Sequence, residues 1–200
     1  MKVDVVRNIL EANDAVAAEL NASFTDRGIL TLNLMSSPGS GKTTLLERTL
    51  TDLKNEFSMA VIEGDCQTEN DARRVAATGA RAVQINTAGG CHLDSSMVRD
   101  AAESMGLDGI DILVVENVGN LVCPAEFSVG EDYKVTILSV TEGDDKPEKY
   151  PFIFAESKVM ILNKIDLLPY VNFSVERASA FAKSINKDIE IFTLSATTGE

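Results

Sequence analysis

Residues 36–44 read Ser-Ser-Pro-Gly-Ser-Gly-Lys-Thr-Thr. The pattern that cradles phosphate groups is Gly-x-x-x-x-Gly-Lys followed by Ser or Thr. Gly41, Lys42 and Thr43 match it, and Ser36 stands in place of the first glycine. The backbone at Ser36 must therefore hold a conformation open to a residue with a side chain. The amides of Gly39, Ser40, Gly41, Lys42, Thr43 and Thr44 are spaced to meet phosphate oxygens at the start of a helix. Lys42 can neutralise the β- and γ-phosphates, and the Thr43 hydroxyl can ligate magnesium. The plain alternative is a glycine-rich turn with a solvated lysine. An apolar strand pattern before the loop and a helical pattern after it argue for the phosphate reading.

A second group follows another apolar run. Asn163, Lys164 and Asp166 form the Asn-Lys-x-Asp arrangement that reads guanine in GTP-binding proteins. An ionised Asp only accepts hydrogen bonds. Guanine offers two donors side by side, whereas adenine would set a lone pair against the carboxylate. Asn163 would brace the loop, and Lys164 would lay its stem along the base. Ser195 and Ala196, in "TLSATTG", resemble the last base-contacting loop of the same class. Between these motifs stand Asp65, ending "AVIEGD", and Glu116, ending "DILVVE". Each is placed to hold magnesium or orient the attacking water, and a helix cap or solvated charge is the alternative for each. "ENVG" has Glu116 where many GTPases have Asp, with Gly119 able to bend the chain toward a γ-phosphate.

The third group is Cys91, His92 and Cys123. His92 is the only histidine, and the chain has three cysteines. Thiolate and imidazole suit zinc, nickel or copper rather than magnesium. Three ligands leave a site incomplete, and two copies across a two-fold axis could complete it. A free cysteine is also commonly a small buried hydrophobe, so spacing alone leaves both readings open. Cys66 reads as a packing residue.

Positioning these groups takes a layered scaffold. Strand patterns fall at Ile29–Met35, Ser58–Glu63, Ala82–Asn86, Asp111–Val115, Lys134–Val140, Lys158–Leu162 and Ile189–Leu194. Helical patterns fall at Thr43–Leu53, Glu69–Ala77, Ser95–Ser104 and Val175–Ile185. This alternation predicts an α/β fold with a mostly parallel sheet of about seven strands and helices on both faces. Val6, Ile9, Leu10, Asn13, Val16, Ala17 and Leu20 add an N-terminal amphipathic helix, a lead-in over 1–27. "TEGDDKPEKYP" (Thr141–Pro151) reads as a surface loop. In a parallel sheet the strands end along one rim, so every group above is expected there.

The composition, 44% hydrophobic and 24% charged over 200 residues, predicts one folded domain spanning 1–200. A net charge of −13 opposes nucleic acid and anionic membranes as partners. No apolar run approaches the about 18 residues of a membrane span, and no apolar signal core opens the chain, so a cytoplasmic protein is expected.

Taken together, "SSPGSGKTTLL", "IEGDCQTENDARR", "GGCHLD", "VENVGNLVCP", "TEGDDKPEKYP" and "LNKIDLLP" resemble the HypB family, P-loop GTPases that help insert nickel into nickel–iron hydrogenase. The resemblance spans nearly the whole chain and implies a P-loop NTPase fold using GTP/GDP, Mg2+ and Ni2+ or Zn2+. It implies a homodimer that works with the hydrogenase large subunit and an accessory nickel-transfer protein. It assigns Cys91, His92 and Cys123 to a regulated metal site shared between subunits, with Thr43 and Asp65 on magnesium. Lys42, Asp65, Glu116 and Gly119 then form the hydrolytic centre. GTP is expected to favour the dimer, and hydrolysis to move the Glu116–Gly119 segment and with it Cys123. Asp71 is expected to meet Lys146 or Lys149 across the dimer. With no arginine finger evident, intrinsic turnover is expected to be slow. An N-terminal Cys-x-x-Cys-type motif and a histidine-rich tract of some members are absent, which speaks against storage of several nickel ions. A closing helix is expected after Glu200, so the chain reads as truncated there. A urease-type nickel accessory GTPase would carry Cys-Pro-His, which is absent; a zinc-stabilised module without turnover is the other reading. Asp166 disfavours an ATPase.

Overall fold

The computed structural model describes residues 5–65 and 70–200, with the side chains of all of these except 5–7, 65 and 70–72. Helix α1 (Val5–Asp26) carries Ala17, Leu20 and Phe24 one helical turn or so apart, and all three are buried. That stripe packs on α4 (Ser95–Met105). The start of α4 is fixed by Asp94, whose side chain accepts from the Met97 amide, and its end by Gly106, at φ 66°.

Seven parallel strands form one sheet: β1 (Leu30–Ser36), β2 (Met59–Asp65), β3 (Arg81–Asn86), β4 (Ile112–Glu116), β5 (Tyr133–Ser139), β6 (Val159–Asn163) and β7 (Glu190–Thr193). Their spatial order is β3-β2-β4-β1-β5-β6-β7. The expected α/β sheet, with helices on both faces and an N-terminal helix, is what the structure shows. Each strand lies within two residues of its expected bounds. β2 runs on to Asp65 rather than stopping at Glu63, because Gly64 and Asp65 still pair with Ile85 and Asn86 of β3.

Successive strand residues face opposite sides, so adjacent residues feed different cores. Ile62 and Val115 join the core under α1 and α4, while Val61 and Val114 join the core under α2 (Lys42–Leu53) and α3 (Asn70–Ala77). A third core packs Met160 and Leu162 of β6 against Ile153, Phe154, Ala178 and Ala182 of the helices that follow β5 and β6. Full burial of a side chain such as Phe154 contributes about 1.5–3 kcal/mol.

Thr141–Pro151 is not the expected surface loop. It contains a helical turn, α6 (Lys146–Lys149), and Pro151 opens α7 (Pro151–Glu156). The prolines that read as boundaries sit in the first turns of helices, where a missing N–H costs nothing and φ is already suitable. Buried Pro147, Ile153 and Phe154 tie the segment down. A 3-10 helix (Ile165–Tyr170) and α8 (Val175–Ile185) complete the elements, with a short α5 (Cys123–Glu126) between β4 and β5. Among the described residues, no helix is long and apolar enough to cross a membrane.

Candidate functional site

β1 is flanked by β4 on one side and β5 on the other, so the chain departs in opposite directions around it. A crevice opens at such a switch point, outside the C-terminal ends of the strands. Here it is a cleft of about 570 Å³ lined by Pro38 to Thr44, by Glu63 and Gly64 from β2, by Arg74, by Glu116 to Gly119, and by Lys164.

The loop at residues 37–41 is held by its own side chains. Ser36 ends β1 with ordinary backbone geometry; among the described residues only Ala88 and Lys164 are non-glycines at positive φ. Its Oγ accepts from Ser40 Oγ at 2.7 Å and from Lys42 Nζ at 3.0 Å, and donates to the Ser37 carbonyl. A hydroxyl thus does the loop-closing work at the position of the missing glycine. Gly41 is required twice over: φ is 95°, and a Cβ there would lie 2.6 Å from Asn163 Nδ2. Glu142 supports the loop from outside, accepting from Ser37 Oγ and from the Ser139 amide.

Thr43, one residue into α2, donates to Glu116 Oε1 at 2.8 Å. Glu116 faces Glu63 across the β2–β4 pair, and both carboxylates are buried at the cleft. Two buried acids beside a threonine hydroxyl are a hard, oxygen-rich donor set, which fits Mg2+. Glu63 was not singled out from the sequence; its signal is an acid in the middle of an otherwise apolar strand. Cys66 lies outside the described residues, as do the side chains of Asp65 and Asp71. Gly119 packs on the phosphate loop, where a Cβ would come within 3.1 Å of Pro38 backbone atoms. Arg74 also reaches the cleft rim, donating to Thr44 Oγ1 at 3.2 Å and pairing with Glu47. It is a guanidinium that sequence reading did not place near the phosphates.

On the other side, Asn163 is a brace. Its Nδ2 donates to the Ser40 carbonyl at 3.0 Å, and its Oδ1 accepts from the amides of Lys164 and Ala196. One side chain therefore joins the phosphate loop, the Asn-Lys-x-Asp loop and the Ser195–Ala196 loop. Lys164 Nζ donates to the Gly39 carbonyl at 2.7 Å, which lays its stem across the loop. Ser195 is buried and caps the final turn through the Thr198 amide. Asp166 Oδ1 is shielded from solvent with no hydrogen-bond partner among the described residues. A buried acceptor lacking a donor is costly, and the paired donors of guanine suit it.

Cys91 and His92 lie between β3 and α4, and Cys123 opens α5 after β4, on the same rim. Their ligating atoms all fall within 4.8 Å of one another. One tetrahedral ion with bonds of about 2.0–2.3 Å would need only small side-chain rotations to bind all three, keeping a fourth position open. Cys91 Sγ is 3.4 Å from His92 Nδ1, and the imidazole stacks on Phe127 with centroids 3.9 Å apart. Burial lowers the His92 pKa, against the opposing charges of Asp94 and Glu126, favouring the neutral ring a metal needs. The Cys123 thiol is pushed up, first by its hydrogen bond with Cys91 and then by burial, so metal uptake must displace its proton.

The loops carrying these ligands are positioned by residues to which sequence reading gave no role at the site. Asn13 of α1 donates to the Ser128 carbonyl and accepts from the Ser95 amide, tying the two metal-bearing segments together from behind. Its signal was a polar residue on an otherwise apolar stripe. Asn117 accepts from the amides of Leu93 and Val118. The expected pairing of Lys146 or Lys149 with Asp71 of a second copy has a competitor within the chain: Lys149 Nζ is 2.5 Å from Asp145.

A family model described as CobW/HypB/UreG, nucleotide-binding domain, matches residues 30–193. Hydrogenase maturation factor HypB of Escherichia coli (strain K12) is 56% identical over 198 residues, 99% of this chain and 68% of that protein. The chain belongs to the HypB family. The crystal structure of HypB from Helicobacter pylori in complex with nickel is 42% identical with a TM-score of 0.88, covering 93% of this chain and 87% of that one. HypB from Archaeoglobus fulgidus is 37% identical with the same TM-score, covering 95% and 93%. Hydrogenase maturation factor HypB of Rhizobium leguminosarum bv. viciae is 54% identical over 198 residues, 99% of this chain and 66% of that protein, so the chain spans about two thirds of these two curated relatives.

Proposed function

We propose that this chain is a GTP-hydrolysing metallochaperone that binds nickel, with zinc as its competitor, and passes nickel on during maturation of nickel–iron hydrogenase. The observation that carries the reading is the position of the Cys91–His92–Cys123 cluster. It hangs on loops that leave β3 and β4 at the same rim of the sheet as the phosphate loop, and Cys123 follows Glu116 and Gly119 by only a few residues.

In this reading residues 1–200 act as one GTPase domain in the cytoplasm. Lys42 and the amides from Gly39 to Thr44 would hold the phosphates, and Thr43, Asp65, Glu116 and Glu63 would hold Mg2+, which would neutralise developing charge. Asp166 selects guanine, with Asn163, Lys164, Ser195 and Ala196 shaping its pocket. Slow intrinsic turnover is part of this reading; Arg74, at the cleft, bonds to Glu47 and Thr44. GTP favours a homodimer, and hydrolysis moves Glu116–Gly119, shifts Cys123 and loosens the metal for handover to an accessory nickel-transfer protein and the hydrogenase large subunit.

The test is nickel titration of the chain with GDP and with a non-hydrolysable GTP analogue, with assembly followed by sedimentation. The nickel affinity and the dimer fraction are expected to differ between the two states. Equal affinity and equal dimerisation would sink the reading.

A further inference from the structure

A buried polar chain runs from the nucleotide cleft to both metal-bearing loops. It starts at Asn117, next to Glu116, which holds Thr43 of the phosphate loop. Asn117 Oδ1 accepts from the Leu93 amide at 3.0 Å, and Leu93 follows His92 directly. The Leu93 side chain in turn sits on Gly64, where a Cβ would lie 2.7–2.9 Å from its atoms, so any other residue there would displace Leu93. From Asn117 the chain also runs inward. Asn117 Nδ2 donates to Asn33 Oδ1 at 3.2 Å, and Asn33 Nδ2 donates to Glu131 Oε1 at 3.3 Å. That oxygen lies 3.9 Å from Lys134 Nζ, and Lys134 donates to the Ala125 carbonyl at 2.8 Å. Ala125 lies in α5, the helix that Cys123 opens.

Asn33 and Asn117 are almost wholly buried, and the Glu131 and Lys134 side chains are 5% and 10% exposed. Water cannot replace a partner lost at Asn33 or Asn117, so a displaced link there forces its neighbour to follow or leaves a buried group unsatisfied. We infer that Asn117, Asn33, Glu131 and Lys134 are positioning residues that couple the nucleotide state of the Glu116–Gly119 segment to the spacing of His92 and Cys123. When that segment moves, Asn117 draws Leu93 and the His92 loop directly, and α5 through Lys134. Lys134 touches neither the cleft nor a metal ligand, so its effect on the metal would be indirect.

The inference rests on the nucleotide-gated reading above, and the experiment separates the two. Nickel affinity is measured with GDP and with a non-hydrolysable GTP analogue for wild type, Lys134→Met, the charge-neutral pair Glu131→Gln with Lys134→Met, Asn33→Ser and Lys134→Arg. The nickel–thiolate absorption band is followed in each state. Wild type is expected to show a ratio between the states of roughly five-fold or more, the usual scale of coupling between sites. In Lys134→Met, the paired variant and Asn33→Ser the ratio falls toward one and the band stops responding to nucleotide. The affinity with GDP stays within about three-fold, a change too small to mean a lost ligand. Lys134→Arg, which can still reach the Ala125 carbonyl, restores the ratio. The paired variant leaves no lone buried charge, so it answers even where the single substitution does not fold. A wild-type ratio of one overturns the gating and the relay together; a wild-type ratio that persists in the folded variants overturns the relay alone.

Discussion

At the nucleotide end of the rim, the side chains that would touch the ligand are also the ones that hold the backbone. Ser36, Ser40, Asn163 and Ser195 are at most 1% exposed, and Asn163 alone joins three loops. At the metal end, the would-be ligands are exposed or half-buried, and the bracing falls to residues behind them: Asn13, Leu93, Asn117 and Phe127. The difference follows from the ligands. A nucleotide brings several charged and polar groups that must meet fixed partners, which rewards a preformed cradle. A transferable metal must be able to leave, which rewards ligands that can be moved without unfolding their surroundings.

If this contrast holds, substitutions on the two sides should fail differently. The largest effect is expected for Lys42→Ala, which removes the ammonium that bonds to Ser36 Oγ at the base of the phosphate loop. GTP turnover should fall by at least about 100-fold in a phosphate-release assay, the scale seen for loss of one transition-state donor. Nickel affinity measured without nucleotide should change little, because Lys42 lines the nucleotide cleft and bonds to Ser36 Oγ. A comparable loss of nickel binding would break the contrast, since the two ends would then fold as one unit. Next is Cys123→Ala. Loss of a direct ligand should exceed the 10–100-fold typical of supporting residues, as read by competition with a chromophoric chelator. A drop of only a few-fold would mean that Cys91 and His92 hold the ion without α5.

The contrast also explains what was legible in the sequence. The seven strands stood out because strands buried on both faces read as short apolar runs. The phosphate and guanine-reading loops stood out because each is contiguous, so the geometry of one turn is written in adjacent letters. The Cys91–His92–Cys123 grouping depends on two segments meeting, and the residues alone left it open; the shared rim and the family resemblance drew it together. Thr141–Pro151 misled because proline marks both loop boundaries and first helical turns, and only the packing of Pro147 and Phe154 separates these. Asn117 reaches Leu93 and Asn33 across 24 and 84 positions, Glu131 reaches Asn33 across 98, and Lys134 reaches Ala125 across 9, so nothing local marks them.

A smaller effect tests the guanine side. Asp166→Asn replaces one of the paired acceptors with a donor in a site where Oδ1 is already shielded from water. Hydrogen bonds to charged groups contribute about 1.5–3 kcal/mol, so GDP affinity by calorimetry should drop by roughly 10- to 150-fold. Affinity for ADP should not drop in parallel. Unchanged selectivity between GDP and ADP would remove Asp166 from the base pocket and leave the preformed cradle without its specificity element.

The finest test falls on the metal side, at Phe127. Its ring stacks on His92 with centroids 3.9 Å apart, and it is not among the residues that line the nucleotide cleft. Phe127→Leu keeps apolar cover but removes the stack, which is worth about 0.5–1.5 kcal/mol, so nickel affinity should fall only about two- to ten-fold. Because the stack orients the ring rather than supplying a ligand, the nickel–thiolate band should persist at saturating metal with a shifted equilibrium. Turnover in the absence of nickel should match wild type. A loss as large as that of Cys123→Ala would mean that the imidazole cannot find the ion unless it is held from behind. In that case the metal end would be as preformed as the nucleotide end, and the ease of release would have to come from motion of whole loops rather than of single side chains.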